Sequence, residues 1–362
     1  MDPSLINLWS SLSIMPLSLS IWQVALLLNP VYVTLFWAIV LSFYDSDKHT
    51  PKVFLGKFMM VSFVLYLSHF FYFSGKTEVY YYFDSFYQLA SLLVYPLYHI
   101  YIRLLTSEQQ FSLRFHARYL LLPFAVFFLY LAGHILMTPQ QHSEFLLQTS
   151  IFYKNGDVLQ QYMSWVYAAA RMVFIGQVFY YLFANFRLII RNNERLQDYY
   201  SNTEGKRLQW VQFFNFSLAL TSIASIAAAI TGREAFAAGE YSLAGPSLIF
   251  SSMLFFIGLL GNTQNKVHTP LMEEKEEATD IPGKTTPLEI PESKLKQELD
   301  GLFNRKEIFK DPDLKIWDLS KMLGTNRTYI SRFINQEYNR NFYNHVNHYR
   351  VEYIKKIAEE NP

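Results

Sequence analysis

The sequence predicts an all-α fold: a seven-helix transmembrane bundle followed by a small cytoplasmic helix-turn-helix domain. Three observations lead there. The 362 residues are 51% hydrophobic and 18% aromatic but only 17% charged, where a soluble domain carries about a quarter. The shortage of charge is confined to the stretch before about Gly261, and charge concentrates after it. Finally, LSKMLGTNRTYISRFINQEY, Leu319–Tyr338, has the spacing of two short helices broken at Gly324. The net charge of +1 averages two regions with different solvents and means little by itself.

The membrane part begins near the N-terminus. No Lys or Arg precedes Lys48, so the basic start of a cleavable signal peptide is missing, and the first apolar stretch is expected to remain as a span. Residues 1–20, charged only at Asp2, read as an outer interfacial segment. A spanning helix needs roughly 20 mostly apolar residues. Seven candidates lie within residues 21–261: about Ile21–Phe43, Val53–Phe73, Val79–Leu105, Tyr119–Met137, Tyr162–Ile190, Trp210–Thr231 and Tyr241–Leu260. Asn29-Pro30 leaves two readings of the first, a kinked span or a shorter helix capped by Asn29 with Pro30 at its first position.

Basic residues prefer the cytoplasmic side of a membrane. The odd-numbered connections hold Lys48, Lys52, Lys57, Arg103, Arg114, Arg118, Arg187, Arg191, Arg195, Lys206 and Arg207, and the even-numbered ones only Lys76, Lys154 and Arg233. Seven spans then put the N-terminus outside and the tail in the cytoplasm of a bacterial inner membrane. Tyr44, Tyr80, Tyr81, Tyr82, Tyr199, Tyr200, Trp210 and Tyr241 crowd the expected span ends, as an aromatic belt at headgroup depth would.

Ionisable groups inside spans are costly and therefore informative. With this orientation His69, Asp84, His134 and Arg171 fall in the outer half on four different helices, and Gln177 lies a turn and a half below Arg171. They suggest a ligand pocket open to the outside, with Asp84 and Arg171 as opposite charges. The bland alternative is interfacial water at Asp84 and His134, with Arg171 snorkelling. His69, His134 and Asp84 lack ligand spacing on a single helix, so no metal is expected. The seventh span has no lysine, which excludes a retinal Schiff base there, and the absence of cysteine excludes thiol chemistry and cysteine zinc sites. No cofactor and no enzymatic activity are expected.

Residues 262–292, NTQNKVHTPLMEEKEEATDIPGKTTPLEIPE, have four prolines and few aliphatic positions. Such a segment cannot bury enough apolar surface to fold alone, so it reads as a flexible acidic linker. From residue 293 to 362 a helical pattern returns. Leu295, Leu299, Leu302 and Phe303 share one face, and Asp311-Pro312-Asp313 ends that element. Asp318–Leu323 forms a short helix with Leu319, Met322 and Leu323 inward, and Gly324 permits a left-handed turn. Thr325 or Asn326 can cap the next helix, in which Ile330, Phe333 and Ile334 face the core. Arg327, Thr328, Ser331, Arg332 and Asn335 take its exposed side. A last helix from about Asn341 has Phe342, Val346, Tyr349, Tyr353 and Ile357 as candidate core positions.

The run LSKMLGTNRTYISRFINQEYNRNFYNHVNHYRVEYIKKI resembles the AraC family of bacterial transcription regulators. The shared features are the glycine turn, an xSRxF-like recognition helix, and an N-x-x-R motif in a long following helix, here Asn347 and Arg350. Asn339 stands where the family commonly has glycine, and Asn tolerates the same left-handed backbone. The resemblance implies a recognition helix in the major groove. It turns Thr328, Ser331 and Arg332 toward the bases, Arg332 as the guanine reader, with Asn326 and Arg327 as phosphate partners. Asn347 and Arg350 are expected instead to tie the long helix to its domain. From Ser293 onward 13 Lys and Arg stand against 10 Asp and Glu, a modest footprint for non-specific binding. AraC-type domains carry two such units, and this chain stops at Asn361-Pro362, where the joining helix ends, so an incomplete reader is expected. The expected function is that of a membrane-bound one-component regulator. Its partners would be DNA, the lipid bilayer, a small-molecule or membrane signal, and a second copy in a homodimer. The contrasting reading is a transporter or membrane enzyme whose helix-turn-helix tail docks proteins.

Overall fold

A computed structural model describes residues 21–43, 51–106, 111–147, 157–204, parts of 211–223, 244–263 and 291–360. Their helices, in order, are α1 Ile21–Phe43, α2 Pro51–Phe73, α3 Thr77–Thr106, α4 Leu113–Leu136, α5 Pro139–Leu147, α6 Val158–Tyr199, α7 Ala244–Thr263, α8 Glu292–Asn304, α9 Ile316–Leu323, α10 Arg327–Tyr338 and α11 Phe342–Glu360. Six of them, α1, α2, α3, α4, α6 and α7, are long and apolar enough to cross a membrane. The chain is thus a multi-pass membrane protein. Most of the expected span at 210–231, residues 1–20 and nearly all of the 262–292 linker lie outside the described residues.

Cα proximity divides the chain into two compact units, Met1–Phe186 with Trp210–Lys266, and Arg187–Gln209 with Val267–Pro362. In the first, α1 packs on α2 and α7, α2 on α3, and α3 on α4. α1 runs unbroken through Pro30. Proline supplies no N–H to the carbonyl four residues earlier, and the Leu26 carbonyl accepts a hydrogen bond from Ser247 Oγ of α7 instead. α7 also meets α1 where Gly258 faces Trp37, so closely that a Cβ on Gly258 would lie 2.3 Å from the indole. Trp165, Phe128, Phe179 and Phe183 point outward, a surface suited to lipid and far too apolar for water.

The second unit has one core. Leu295, Leu299, Leu302 and Phe303 of α8 pack with Leu319 and Leu323 of α9, Ile330, Phe333 and Ile334 of α10, and Phe342 and Val346 of α11. These inward positions match the sequence spacing. Two others do not. Met322 is 54% exposed and Ile357 41% exposed, because α9 buries only the Leu319–Leu323 edge and α11 extends past the residues that cover its first turns.

The same core contains Leu196, Tyr199 and Tyr200, from the stretch expected to be a loop between spans. α6 is 42 residues long, continuing well past Ile190. Just after it, Tyr200 forms an antiparallel bridge with Lys315, and the Ser201 N–H donates to the Leu314 carbonyl at 3.1 Å. The second unit is therefore built from two separated pieces of chain and does not begin at residue 293.

Candidate functional site

Each unit holds a candidate site. In the second unit, the Asp318 carboxylate accepts the Lys315 N–H at 2.8 Å and starts α9. Gly324 ends it in the left-handed region, φ 63°. Asn326, not Thr325, caps α10, its Oδ1 accepting the Thr328 N–H at 2.8 Å. Asn339 ends α10 with φ 49°, the left-handed geometry expected where glycine is commoner. Tyr338 donates to Asp300 of α8 at 2.9 Å, and Lys296 pairs with Glu337. These contacts fix α10 against the rest of the unit.

The predicted DNA-facing residues fall into two stripes. Thr328 and Arg332 are exposed, with the Arg332 guanidinium 5.4 Å from the Tyr329 ring centroid. Arg327 is half-buried with its guanidinium 5.6 Å from the ring of Tyr199 at the end of α6. One turn beyond the half-buried Ser331, Asn335 hydrogen-bonds to Asp198. Arg327, Ser331 and Asn335, spaced four residues apart, thus line the side of α10 that meets α6. The Asn326 side chain is taken up by its capping bond.

Asn347 and Arg350 act as ties. Asn347 Nδ2 donates to the carbonyls of Tyr343 at 2.9 Å and Ser201 at 3.3 Å. Arg350 donates to the carbonyls of Phe309 at 2.7 Å, Asp311 at 2.6 Å and Ser201 at 3.2 Å, and to Ser201 Oγ at 3.1 Å. A guanidinium with five donors in a fixed fork suits such a junction, which joins α11, the 3-10 turn Ile308–Lys310 and the chain leaving α6.

In the first unit the structure brings together only two of the five pocket candidates. Asp84 is fully buried. Its Oδ1 accepts from Tyr80 at 2.8 Å, and its Oδ2 from Tyr130 at 2.5 Å. His142 Nε2 lies 3.0 Å from the same Oδ2. His134 Nδ1 is 2.6 Å from Ser85 Oγ. The two imidazoles stack with centroids 4.5 Å apart and 14° between planes, and Tyr81 packs edge-on against both. One donor atom from each of Asp84, His134 and His142 lies within 4.8 Å of the others, and all three residues are buried.

The other candidates sit apart. Arg171 hydrogen-bonds to Tyr167, one turn earlier, and lies over its ring. It forms no ion pair with Asp84, so the expected pairing of opposite charges is absent. His69 lies among the rings of Tyr66, Phe73 and Tyr87. Gln177 is buried, with no hydrogen-bond partner at its Oε1.

His142 was missed because α5 is short and polar and lies between expected spans. A local signal was present: Thr138-Pro139-Gln140-Gln141 is a capping box with proline at the first helical position. The Gln141 N–H donates to Thr138 Oγ1 at 3.3 Å, and the Thr138 N–H to Gln141 Oε1 at 2.9 Å. Asp157 and Gln160 form the same reciprocal pair at the start of α6. Gln141 Nε2 then donates to Asp157 Oδ2 at 2.6 Å, which pins α5 and so holds His142 beside Asp84. Comparison of the chain with protein-family models, curated proteins and solved structures finds no match.

Proposed function

We propose that the protein is a membrane-bound one-component transcription regulator of the AraC type. Its bundle sits in a bacterial cytoplasmic membrane with the N-terminus outside, and its second unit binds DNA from the cytoplasm. The observation that carries this reading is the α9–Gly324–α10 arrangement: a left-handed glycine turn, an asparagine-capped second helix, and an exposed Thr328–Arg332 stripe. The excess of basic residues in the odd-numbered connections supports the same side for the reader. A signal at the outer end, where α3, α4 and α5 meet, is passed along α6. Leu196, Tyr199 and Tyr200 belong to the reader's core, and Tyr199 and Asp198 touch α10 at Arg327 and Asn335, so a shift of α6 changes the set of α10 side chains free to meet DNA. Pairing of two copies supplies a site of ordinary length.

The full chain in lipid nanodiscs, selected against random duplexes, is expected to enrich a sequence motif. Arg332→Ala is expected to cost about 1–3 kcal/mol at one position of it. Enrichment of no motif, or equal binding by both forms, sinks direct readout. Because the sequence has no cysteine, single cysteines replacing Lys76 or Arg305 report sidedness without background. Labelling of Lys76→Cys only from the cytoplasmic face reverses the orientation.

A further inference from the structure

We propose that Asp84, His134 and His142 bind a single divalent transition-metal ion, with Zn²⁺ as the reference case. Two imidazoles and one carboxylate are a donor set for zinc and its neighbours. Magnesium and calcium require oxygen donors, and copper(I) prefers sulfur. The spacing is close to what the ion needs. Zinc bonds of about 2.0–2.1 Å set neighbouring ligand atoms about 3.3 Å apart in a tetrahedron. His142 Nε2 and Asp84 Oδ2 are 3.0 Å apart, and the three donor atoms already fall within 4.8 Å of one another.

The surrounding groups orient these donors as outer-shell partners of a metal do. Ser85 holds Nδ1 of His134 at 2.6 Å. When that nitrogen donates its proton to the hydroxyl, Nε2 keeps its lone pair for the ion. Tyr80 holds Oδ1 of Asp84 at 2.8 Å and Tyr130 holds Oδ2 at 2.5 Å, which fixes the carboxylate with Oδ2, the oxygen beside His142, presenting its second lone pair to the ion. Neutral imidazole is the ligating form. A carboxylate buried this deeply is stable only beside positive charge or several donors, and the cation supplies that charge. On binding, the ion takes the place of the proton on His142 Nε2 that faces Asp84; the ring stays neutral by taking a proton at Nδ1 as Nε2 gives one up, so no net proton is released. Three protein ligands leave a fourth position open to water or to a donor atom of a further molecule. The ion would clamp α5 to α3 and α4.

Metal uptake is read with no DNA present, so failure of this site and failure of the regulator reading are separate results. The full chain in nanodiscs is stripped with chelator and titrated with Zn²⁺ by calorimetry and with Co²⁺ by visible absorption. One equivalent per chain and a four-coordinate Co²⁺ spectrum are expected. His142→Gln and Asp84→Asn are expected to weaken Zn²⁺ binding more than 100-fold, and Ser85→Ala about 10–100-fold. His69→Gln is expected to bind as the natural chain does. Absence of stoichiometric uptake by the natural chain overturns the site, with no variant needed. Wild-type affinity in His142→Gln, or loss in His69→Gln, overturns the assignment of ligands.

Discussion

Polar side chains do different work in the two units. In the membrane-spanning unit five hydroxyls turn back on their own helices: Thr34 donates to the Pro30 carbonyl at 2.7 Å, Ser62 to Phe58 at 3.0 Å, Ser68 to Val64 at 2.7 Å, Thr106 to Ile102 at 2.8 Å and Ser251 to Ser247 at 2.7 Å. In the second unit they close helix ends and turns, as Asp318, Asn326 and Arg350 do. The solvent accounts for the difference. Lipid offers no partner, so a buried hydroxyl takes the nearest carbonyl and the helix continues. Water competes for helix ends, so capping decides where helices stop. Against that background, cross-helix polar contacts in the bundle stand out. His99 meets Asn185 at 2.7 Å, and the Asp84 cluster joins three helices.

The comparison can be broken most severely at Asp84. Asp84→Ala strands Tyr80, Tyr130 and His142 together, and a loss of about 3–5 kcal/mol is expected, read as a lowered unfolding midpoint of the bundle in detergent. An unchanged midpoint would mean the cluster does not hold α5 in place. In the second unit Arg350→Ala leaves the carbonyls of Phe309, Asp311 and Ser201 without their charged donor, at an expected cost of about 1.5–3 kcal/mol. Hydrogen exchange of α11 should then quicken while α1–α4 keep their protection.

Acid should separate the units as well. Burial pushes His345 of α11 down to about 4, below the unfolded value of about 6.5. The unfolded chain therefore takes up the proton first as pH falls. Stability is full above about 6.5 and is lost toward 4, by about 2 kcal/mol between pH 7.5 and pH 5. Exchange in α9–α11 is expected to quicken over that range, and His345→Phe to remove the dependence. Asn326→Ala removes the α10 cap for about 1 kcal/mol, seen as fraying of the first turn of α10. The smallest effect is expected at Ser247→Ala, about 0.6 kcal/mol, because only the Leu26 carbonyl loses its partner.

Where a periodic face meets a turn residue, the sequence was readable. Leu319, Leu323, Ile330, Phe333 and Ile334 are buried as their spacing required, Gly324 and Asn339 take positive φ, and Asn347 and Arg350 tie rather than project. The end of α6 was hidden because RNNERLQDYY is polar enough to pass for a loop, although Leu196, Tyr199 and Tyr200 fall at helical spacing on one side. The Asp84 cluster was half legible. Burying two ionisable groups in apolar runs drew attention to Asp84 and His134, while the third partner sits on a helix that hydropathy passes over. Arg171 misled for a related reason: depth in a span signals cost, but the partner that relieves it, Tyr167, is a turn away on the same helix.

Residues 187–209 have a consequence for how the molecule is made. The ribosome delivers this strip of the second unit long before Glu292–Glu360, with α7 still to be inserted in between. The α8–α11 core cannot close around Tyr199 and Tyr200 until α11 has emerged, so insertion of the bundle and completion of the second unit are ordered in time. Severing the chain between Thr263 and Pro291 would leave that core held to the end of α6 by packing and hydrogen bonds with no covalent link, and a fragment beginning at Pro291 would lack Leu196, Tyr199, Tyr200 and both oxygens of Ser201 that Arg350 grips.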